Sequence, residues 1–283
     1  MKVVFSDVDG TFQDLGETVP EINIKAVKEM QAAGHHFVFV TGRGYDLVQN
    51  MQTELGIDCD VIFGNGAGLK EMGKAPQYTN CLDLATCRKI VEILEEENIF
   101  YFFHTDQEVI VKPMKYYQQH MQALRESLLP MGEQGERLMD FKEDYFENNC
   151  LHHEEPLNFL AEHPERHIVK IELMLPDDAE HPRLIAALSS EETYVFNSFY
   201  KTLEIVNPKS TKGTAIVEYL KSFDVEKTYG IGDGGNDLPM LEVVDVAVAV
   251  ANASDEVKAQ ADLIVDSCLD GGVGQFIYQY ILM

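Results

Sequence analysis

Four aspartates stand in two short glycine-containing motifs whose composition suits a hard cation. Asp7 and Asp9 are two residues apart in SDVDGT, directly after an apolar run, and Asp233 and Asp237 lie in GDGGND, far along the chain. Taken alone, either motif is also an ordinary turn, because Asp and Gly are common where a strand stops. Brought to one place, the carboxylates would repel one another strongly unless a cation lay among them. Mg²⁺ is the natural cation, since it takes a few carboxylates together with water and a phosphate oxygen.

Two further residues could bind the phosphate itself. Thr41 follows a second apolar run in VTGR, and Lys212 lies in KSTKG, at the start of a predicted helix. A lysine there opposes the helix macrodipole, whereas a bound anion would reverse that cost. Each residue also has an ordinary interpretation, Thr41 as a helix cap or turn hydroxyl and Lys212 as an exposed lysine. Together with the aspartates, they predict a divalent metal beside a phosphate pocket, which is the equipment of phosphoryl transfer.

Alternating strands and helices are predicted in the first and last parts of the chain, and they would position these residues. The predicted strands are 2–6, 35–43, 59–67, 227–233, 246–250 and 263–266. The predicted helices are 21–34, 45–56, 210–223, 236–244 and 254–261. Because the strands are continuously apolar, the pattern indicates a parallel α/β sheet covered on both faces. Such sheets bind ligands outside the carboxyl ends of their strands, which is where Asp7, Thr41, Asn65 and Asp233 stand.

The segment between these two parts has a different pattern. The elements predicted there are a helix at 82–97, a hairpin at 99–112 and strands within 167–206. No element is assigned to the polar stretch 131–156. Strands of antiparallel type inserted within a parallel α/β domain indicate a second domain. We therefore expect a parallel-sheet core formed by 1–83 and 206–283, with an inserted α/β (α+β) domain at 84–205.

Composition limits the partners and the compartment. The chain has 283 residues and a formal charge of −26, and a field of this sign repels nucleic acid and anionic membrane surfaces. A small phosphate can still bind where a local cation overcomes the field at short range. The five cysteines are scattered without a CxxC pair, and the sequence contains neither a signal peptide nor an apolar run of about 18 residues. We expect a cytoplasmic monomer or small homo-oligomer that binds a small phosphorylated metabolite, with no nucleic-acid or membrane partner.

Four short motifs resemble those of the haloacid dehalogenase superfamily. They are, in order, DVDGT at 7–11, VTGR at 40–43, KSTKG at 209–213 and GDGGND at 232–237. The chain length, the insert, NGA at 65–67 and the segment 249–273 resemble the Cof-type hydrolases of that superfamily. The resemblance implies a Rossmann-like core with a large α/β cap domain that determines substrate specificity. The sequence departs from the family pattern at Phe12-Gln13-Asp14, where leucine and another apolar residue are usual.

The resemblance also implies roles for individual residues. Asp7 would be the nucleophile that becomes an aspartyl-phosphate, and Asp9 would protonate the leaving oxygen and then deprotonate the hydrolytic water. The implied phosphate ligands are Thr41, Gly42, Lys212 and Asn236. The implied ligands of Mg²⁺ are Asp7, the backbone carbonyl of Asp9, Asp233 and, directly or through another ligand, Asp237. A nucleophile must stay ionised while an acid must carry a proton, so the first two aspartates need different environments.

The function implied by the resemblance is that of a magnesium-dependent phosphatase. Its substrate would be a small phosphomonoester, a sugar phosphate first, or a phosphorylated cofactor such as flavin mononucleotide or pyridoxal phosphate. A phosphotransferase or mutase would pass the same intermediate to a sugar hydroxyl instead of water. A third alternative is a non-catalytic sensor of phosphorylated metabolites or a signalling receiver domain. A receiver normally carries its phospho-acceptor on an interior strand and has no insert of this length.

Overall fold

Strands and helices alternate along most of the chain. The structure, a computed structural model, describes residues 1–14, 18–199 and 201–283. Its strands are β1 (Lys2–Ser6), β2 (His36–Val40), β3 (Asp60–Phe63), β4 (Gly68–Lys70), β5 (Gln77–Tyr78), β6 (Tyr101–Thr105), β7 (Val109–Val111), β8 (Leu151–His152), β9 (Ile168–Met174), β10 (Tyr194–Phe199), β11 (Thr202–Val206), β12 (Lys227–Gly232), β13 (Val246–Val250) and β14 (Leu263–Val265). Its helices are α1 (Glu21–Ala32), α2 (Tyr45–Leu55), α3 (Leu84–Glu96), α4 (Gln118–Leu128), α5 (Glu133–Asn148), α6 (Pro156–Glu162), α7 (His181–Leu188), α8 (Lys212–Leu220), α9 (Leu238–Leu241), α10 (Asp255–Gln260) and α11 (Gly272–Phe276). Tyr200, in a predicted strand region, and residues 15–17, in the predicted core, lie outside the described residues.

The described residues divide into two compact units. Unit 1 comprises Met1–Asn80 and Lys209–Met283, and unit 2 comprises Cys81–Pro208. The insert predicted from the sequence, 84–205, lies within the bounds of unit 2. Within the described ranges, none of the helices combines the length and apolar composition that crossing a bilayer requires.

Unit 1 is built on one sheet whose strands run mostly parallel. Among the described residues the strand order is β14-β13-β12-β1-β2-β3-β4-β5, and neighbours from β14 to β3 are parallel. The parallel α/β core is therefore confirmed, while the antiparallel edge pair β4 and β5 is absent from the sequence prediction. The connection order reverses at β1, which lies between β2 and β12. The carboxyl end of β1 is thus the switch point at which sheets of this kind bind ligands.

Glycines end two helices of unit 1. Helix α1 buries Ala26, Val27 and Met30, a spacing that places them on one helical face. The chain then turns at Gly34, which has a φ of 82°. Helix α2 ends at Gly56, in the left-handed conformation with a φ of 61°. Glycine is favoured at both positions because it has no Cβ to clash there, and both helix ends agree with the sequence prediction.

The apolar core accommodates the departure that follows DVDGT. Phe12 is fully buried, with its ring centroid 4.9 Å from that of Phe39 and 5.7 Å from that of Phe37. Gln13 is also buried, and its amide Nε2 lies 3.4 Å from Asp9 Oδ1. Phe12 therefore fills the apolar position at which leucine is usual, and Gln13 adds a polar contact beside Asp9.

Unit 2 is built on a second, mixed sheet. Its strand order in the described residues is β10-β11-β9-β6-β7-β8, with antiparallel neighbours except for the parallel pair β7 and β8. One apolar cluster joins Tyr101, Ile171 and Leu203 to residues of α3, α6 and α7. A second cluster joins Phe102 and Met174 to residues of α4 and α5. The hairpin and the strands predicted for this segment are confirmed.

Helix α5 occupies most of the stretch 131–156, to which the sequence assigns no element. Its buried residues are Gly135, Met139 and Phe146, at separations of four and seven residues, which is the spacing of one helix face. Most of the other residues of α5 are charged or polar, so the apolar period is too sparse to stand out. Helices α4, α6 and α7 are likewise absent from the sequence prediction.

Candidate active site

A buried lysine joins the first and last acidic motifs of unit 1. Lys212 Nζ donates to Asp7 Oδ1 at 2.5 Å and to Asp237 Oδ1 at 2.6 Å. Lys212 and Asp237 are fully buried, and Asp7 is 5% exposed. The alternative that Lys212 is an exposed surface lysine is therefore wrong. Residues more than 200 positions apart in the chain meet in one hydrogen-bonded cluster.

The ends of β1 and α8 bring these two side chains together. Asp7 follows β1, and its backbone N–H donates to the carbonyl of Ile231 at 3.0 Å, extending the parallel ladder between β1 and β12. Thr211 caps α8 by accepting from the backbone N–H of Thr214 at 3.1 Å, so Lys212 becomes the first residue of the helix. The carboxyl end of a strand and the amino end of a helix thus face the same point.

The GDGGND loop is folded around its own last aspartate. Asp237 Oδ2 accepts from the backbone N–H groups of Asp233 at 2.9 Å and Gly234 at 3.0 Å. Asp233 Oδ1 accepts from the hydroxyl of Thr11 at 2.8 Å, which ties this loop to DVDGT. Gly10 has a φ of 79°, and a Cβ there would lie 2.5 Å from Asp233 Oδ2. Only glycine permits both that backbone conformation and that close approach.

Negative charge exceeds positive charge in this cluster. Carboxylate oxygens of Asp7, Asp233 and Asp237 lie within 4.8 Å of one another, and the ammonium of Lys212 is the cation bonded among them. Burial raises the pKa of Asp7 well above its usual value, with Asp237 and Asp233 adding to the effect and Lys212 opposing it. Burial and the charge of Asp237 raise the pKa of Asp233 to about 6. For Lys212, burial is outweighed by Asp237 and Asp7, which raise its pKa and keep it charged.

This donor set could hold a divalent cation. The three side chains offer only carboxylate oxygens, which are the ligands that hard divalent cations prefer. A cation would offset the charge that Lys212 leaves uncompensated, and it would oppose the effect of burial and of carboxylate repulsion on the pKa values of Asp7 and Asp233. Both the composition and the electrostatics of the cluster therefore fit such an ion.

Asp9 lies in a different environment from Asp7. Its carboxylate accepts two hydrogen bonds from Arg43, with Nε 2.7 Å from Oδ2 and Nη2 2.6 Å from Oδ1. The side chain of Asp9 is 36% exposed, compared with 7% for that of Asp7. One aspartate of DVDGT is thus buried against a lysine, while the other reaches a partly open surface.

Asn65, which the sequence places at the end of a strand, lies beside Gly42 and Asn236, two of the predicted phosphate ligands. Its side-chain Oδ1 accepts from Asn236 Nδ2 at 3.2 Å, and a Cβ on Gly42 would lie 3.2 Å from the same amide group. Thr41 is fully buried and its Oγ1 accepts from the backbone N–H of Arg43 at 3.1 Å. Thr41 does not cap α2, because the N-cap position of that helix is Gly44. The loops after β2, β3 and β12 therefore meet through Asn65.

Sequence reasoning missed three residues at this edge of the sheet. Arg43 stands in VTGR, and Thr11 in DVDGT, so both lie in motifs already singled out. Asn252 Nδ2 donates to the carbonyl of Gly10 at 2.7 Å, and its Oδ1 accepts from the backbone N–H of Cys268 at 2.8 Å. Asn252 lies in the segment 249–273 that resembles the Cof-type hydrolases, but no charge or spacing within that segment distinguishes it from an ordinary loop asparagine.

Comparison with known proteins identifies the family. The family model of the haloacid dehalogenase-like hydrolases matches residues 4–277. The putative phosphatase YkrA of Bacillus subtilis (strain 168) is 25% identical over 284 residues, covering 100% of this chain and 98% of that protein. The pyridoxal phosphate phosphatase YbhA of Escherichia coli (strain K12) is 22% identical over 285 residues, covering 99% of each. The solved structure of a haloacid dehalogenase-like hydrolase from B. subtilis matches with a TM-score of 0.83 at 22% identity, over 99% of this chain and 100% of that one. This chain belongs to the haloacid dehalogenase-like hydrolases and is a phosphatase, a hydrolase of phosphoric monoesters.

Proposed function

We propose that this protein is a magnesium-dependent phosphatase that hydrolyses a small phosphomonoester through an aspartyl-phosphate on Asp7. The observation that carries the proposal is the cluster of buried Asp7, Asp237 and Lys212 with half-buried Asp233, in which one ammonium is shared by two of three carboxylates. A site with excess negative charge attracts a divalent cation. Cation and lysine together can then bind a phosphate, even though the chain as a whole is strongly acidic.

In the first step, an oxygen of the Asp7 carboxylate attacks phosphorus and the bond from phosphorus to the leaving oxygen breaks. Asp9 supplies a proton to that oxygen, so the leaving group departs as an alcohol and Asp9 becomes a carboxylate. Its partly open position suits this role, since a proton carrier must reach both the leaving group and water.

In the second step, water attacks phosphorus in the aspartyl-phosphate and passes its proton to Asp9. The bond from phosphorus to Asp7 breaks, which regenerates the Asp7 carboxylate and releases inorganic phosphate. Thr41, Gly42, Lys212 and Asn236 are proposed to hold the phosphoryl oxygens during both steps. A divalent cation held by Asp7, the backbone carbonyl of Asp9, Asp233 and Asp237 would supply charge neutralisation.

We propose a sugar phosphate as substrate first and a phosphorylated cofactor second, with unit 2 acting as the cap that selects the leaving group. The name of the E. coli relative supports pyridoxal phosphate as one member of the second class. In unit 2, Lys170, Glu172 and Glu204 form a cluster of charged groups on the sheet. Such groups can form hydrogen bonds with the hydroxyls or the ring substituents of a leaving group.

The test is phosphate release from a panel of phosphomonoesters by the purified protein. The panel contains hexose and pentose phosphates, pyridoxal 5′-phosphate, flavin mononucleotide and p-nitrophenyl phosphate, each with Mg²⁺ or with EDTA. We expect release from at least one alkyl phosphate that requires Mg²⁺ and returns when the metal is restored. Equal rates in EDTA would contradict the metal requirement, and no release from any ester would contradict the function. Transfer of labelled phosphate to an added sugar, rather than to water, would identify a phosphotransferase.

A further inference from the structure

We propose that Arg43 is a positioning residue that holds the carboxyl group of Asp9 in place for proton transfer to the leaving group. This inference rests on the proposed function, in which Asp9 is the proton carrier. It starts from the paired hydrogen bonds between the two side chains, with Arg43 Nε 2.7 Å from Asp9 Oδ2 and Nη2 2.6 Å from Oδ1. Two parallel bonds fix both the position and the plane of a carboxylate, whereas one bond leaves it free to rotate.

The backbone of Arg43 is itself held on both sides. Its N–H donates to Thr41 Oγ1 at 3.1 Å, and its carbonyl accepts from the N–H of Gly64 at 2.9 Å. Thr41 and Gly64 follow β2 and β3, whose positions the sheet determines. The guanidinium is therefore attached to the rigid part of unit 1, and through it the orientation of Asp9 is fixed to that of the sheet.

Asp9 needs an external partner because its own surroundings restrain it weakly. Its side chain is 36% exposed, and within the described residues its further side-chain contact, with Gln13 Nε2, is long at 3.4 Å. A protonated Asp9 keeps acceptor lone pairs on both of its oxygens, so both bonds from Arg43 persist when its O–H points away from the guanidinium, and Arg43 holds both forms in the same plane. Proton transfer depends steeply on placement, and a displacement of about 1 Å can cost a factor on the order of 10² in rate.

The experiment compares two leaving groups in Arg43 variants. p-Nitrophenolate is a stable anion that leaves without protonation, whereas an alkoxide must be protonated as it leaves. The value of kcat/KM reports the steps up to departure of the leaving group. It is measured with p-nitrophenyl phosphate and with the alkyl phosphate of the panel that the wild-type enzyme hydrolyses fastest. The variants are Arg43→Gln, Arg43→Lys and Asp9→Asn.

Arg183 offers a matched control. It also forms two bonds with one carboxylate, that of Glu97 in unit 2, with Nη1 3.0 Å from Oε1 and Nη2 2.6 Å from Oε2, while its Nε donates to Glu180 at 2.8 Å. Arg183→Gln removes an arginine and a paired carboxylate contact of the same kind, so it reports what loss of a surface ion pair does by itself.

We expect Arg43→Gln to lower kcat/KM for the alkyl phosphate by a factor of about 10². For p-nitrophenyl phosphate, kcat/KM should fall less than about 5-fold. Arg43→Lys should fall between, because an ammonium cannot form the paired contact. Asp9→Asn should give the same pattern, and adding Arg43→Gln to it should cause little further loss. Equal losses on both esters, or a loss on neither, would overturn the role of Arg43. Equal losses in Asp9→Asn would instead contradict the proposed role of Asp9, and an inactive wild-type enzyme would contradict the proposed function.

Discussion

Each unit of the molecule contains a lysine between two carboxylates, fully buried in unit 1 and partly buried in unit 2. In unit 1, Lys212 bridges Asp7 and Asp237 at 2.5 and 2.6 Å. In unit 2, Lys170 bridges Glu204 and Glu172 at 2.7 and 3.1 Å. The two triads share the same composition of charge, so any difference in behaviour must come from the groups around them.

Those surroundings have opposite effects on the carboxylates. In unit 1 a further carboxylate, that of Asp233, joins the cluster, and the pKa of Asp7 is raised by burial with added repulsion from Asp237 and Asp233. In unit 2 the imidazole of His104 lies 2.9 Å from Glu172. Burial by itself would raise the pKa of Glu172, but Lys170 and His104 outweigh it and lower that pKa. Unit 2 thus compensates its buried charge internally, whereas unit 1 leaves a site for an added cation.

Replacing each of the two lysines should give the largest difference in activity between variants of the two units. We expect Lys212→Met to lower kcat at least about 10²-fold on every phosphomonoester, including p-nitrophenyl phosphate, since both phosphate binding and charge neutralisation are lost. Lys170→Met should shift KM values and the preference among alkyl phosphates, with kcat on p-nitrophenyl phosphate changed less than about 10-fold. Steady-state kinetics on the panel measure both variants, with circular dichroism to verify folding. A Lys212→Met enzyme that retains wild-type kcat would show that the two lysines do not differ in this way.

Added Mg²⁺ should stabilise only through the cluster of unit 1. At a concentration of about 100 times the dissociation constant, a ligand bound only by the folded state adds about 2.7 kcal/mol to the free energy of unfolding. We expect this gain in the wild type, and a markedly smaller gain in Asp237→Asn. Glu204→Gln is the control, because it neutralises the corresponding carboxylate of unit 2. Thermal unfolding with and without Mg²⁺ measures the gain in the free energy of unfolding. A gain in Asp237→Asn as large as in the wild type would contradict the assignment of the cation to unit 1.

In metal-free protein, the two clusters should respond to pH with opposite sign. The pKa of Asp233 is raised to about 6, so the folded state binds more protons than the unfolded state between this value and about 4, and stability rises as the pH falls from 7 to 5. The pKa of Glu172 is lowered, so its contribution is present above about pH 4.3 and is lost as the pH falls below it. We expect changes on the order of 1–2 kcal/mol in urea unfolding followed against pH in EDTA. Asp233→Asn should reduce the rise and Glu172→Gln the loss; a rise unaffected by Asp233→Asn would exclude this origin.

The sequence predicts those elements whose local residue pattern determines where they lie in the fold. Continuous apolar runs identify the strands of unit 1, and in parallel sheets their carboxyl ends meet at one edge, so Asp7 and Asp233 could be placed near each other before any contact was known. Gly34 and Gly56 mark helix ends because a left-handed backbone conformation, which favours glycine, depends only on local geometry. The family and the fold class are confirmed on this basis.

The contacts that the sequence does not reveal are made between residues that lie far apart in the chain. Arg43 pairs with Asp9 across 34 positions, and Asn252 reaches Gly10 across 242, contacts that no local pattern encodes. Helix α5 is missed because only one narrow stripe of it is apolar, so its period is hidden among charged residues. The burial of Lys212 is also unpredictable from composition, because a lysine is buried only where fixed carboxylates compensate it.

The most direct test of the account is the effect of Asp7→Asn on phosphate release. The variant keeps the shape of the side chain while removing the nucleophilic carboxylate, so we expect turnover to fall by at least about 10³-fold on all esters. Asp60→Asn is the matched control, since Asp60 is another buried aspartate of unit 1 but bonds to Tyr219 and the backbone of Met72. We expect folded Asp60→Asn to retain turnover while Asp7→Asn loses it. A folded Asp7→Asn protein that releases phosphate at the wild-type rate would contradict the central claim.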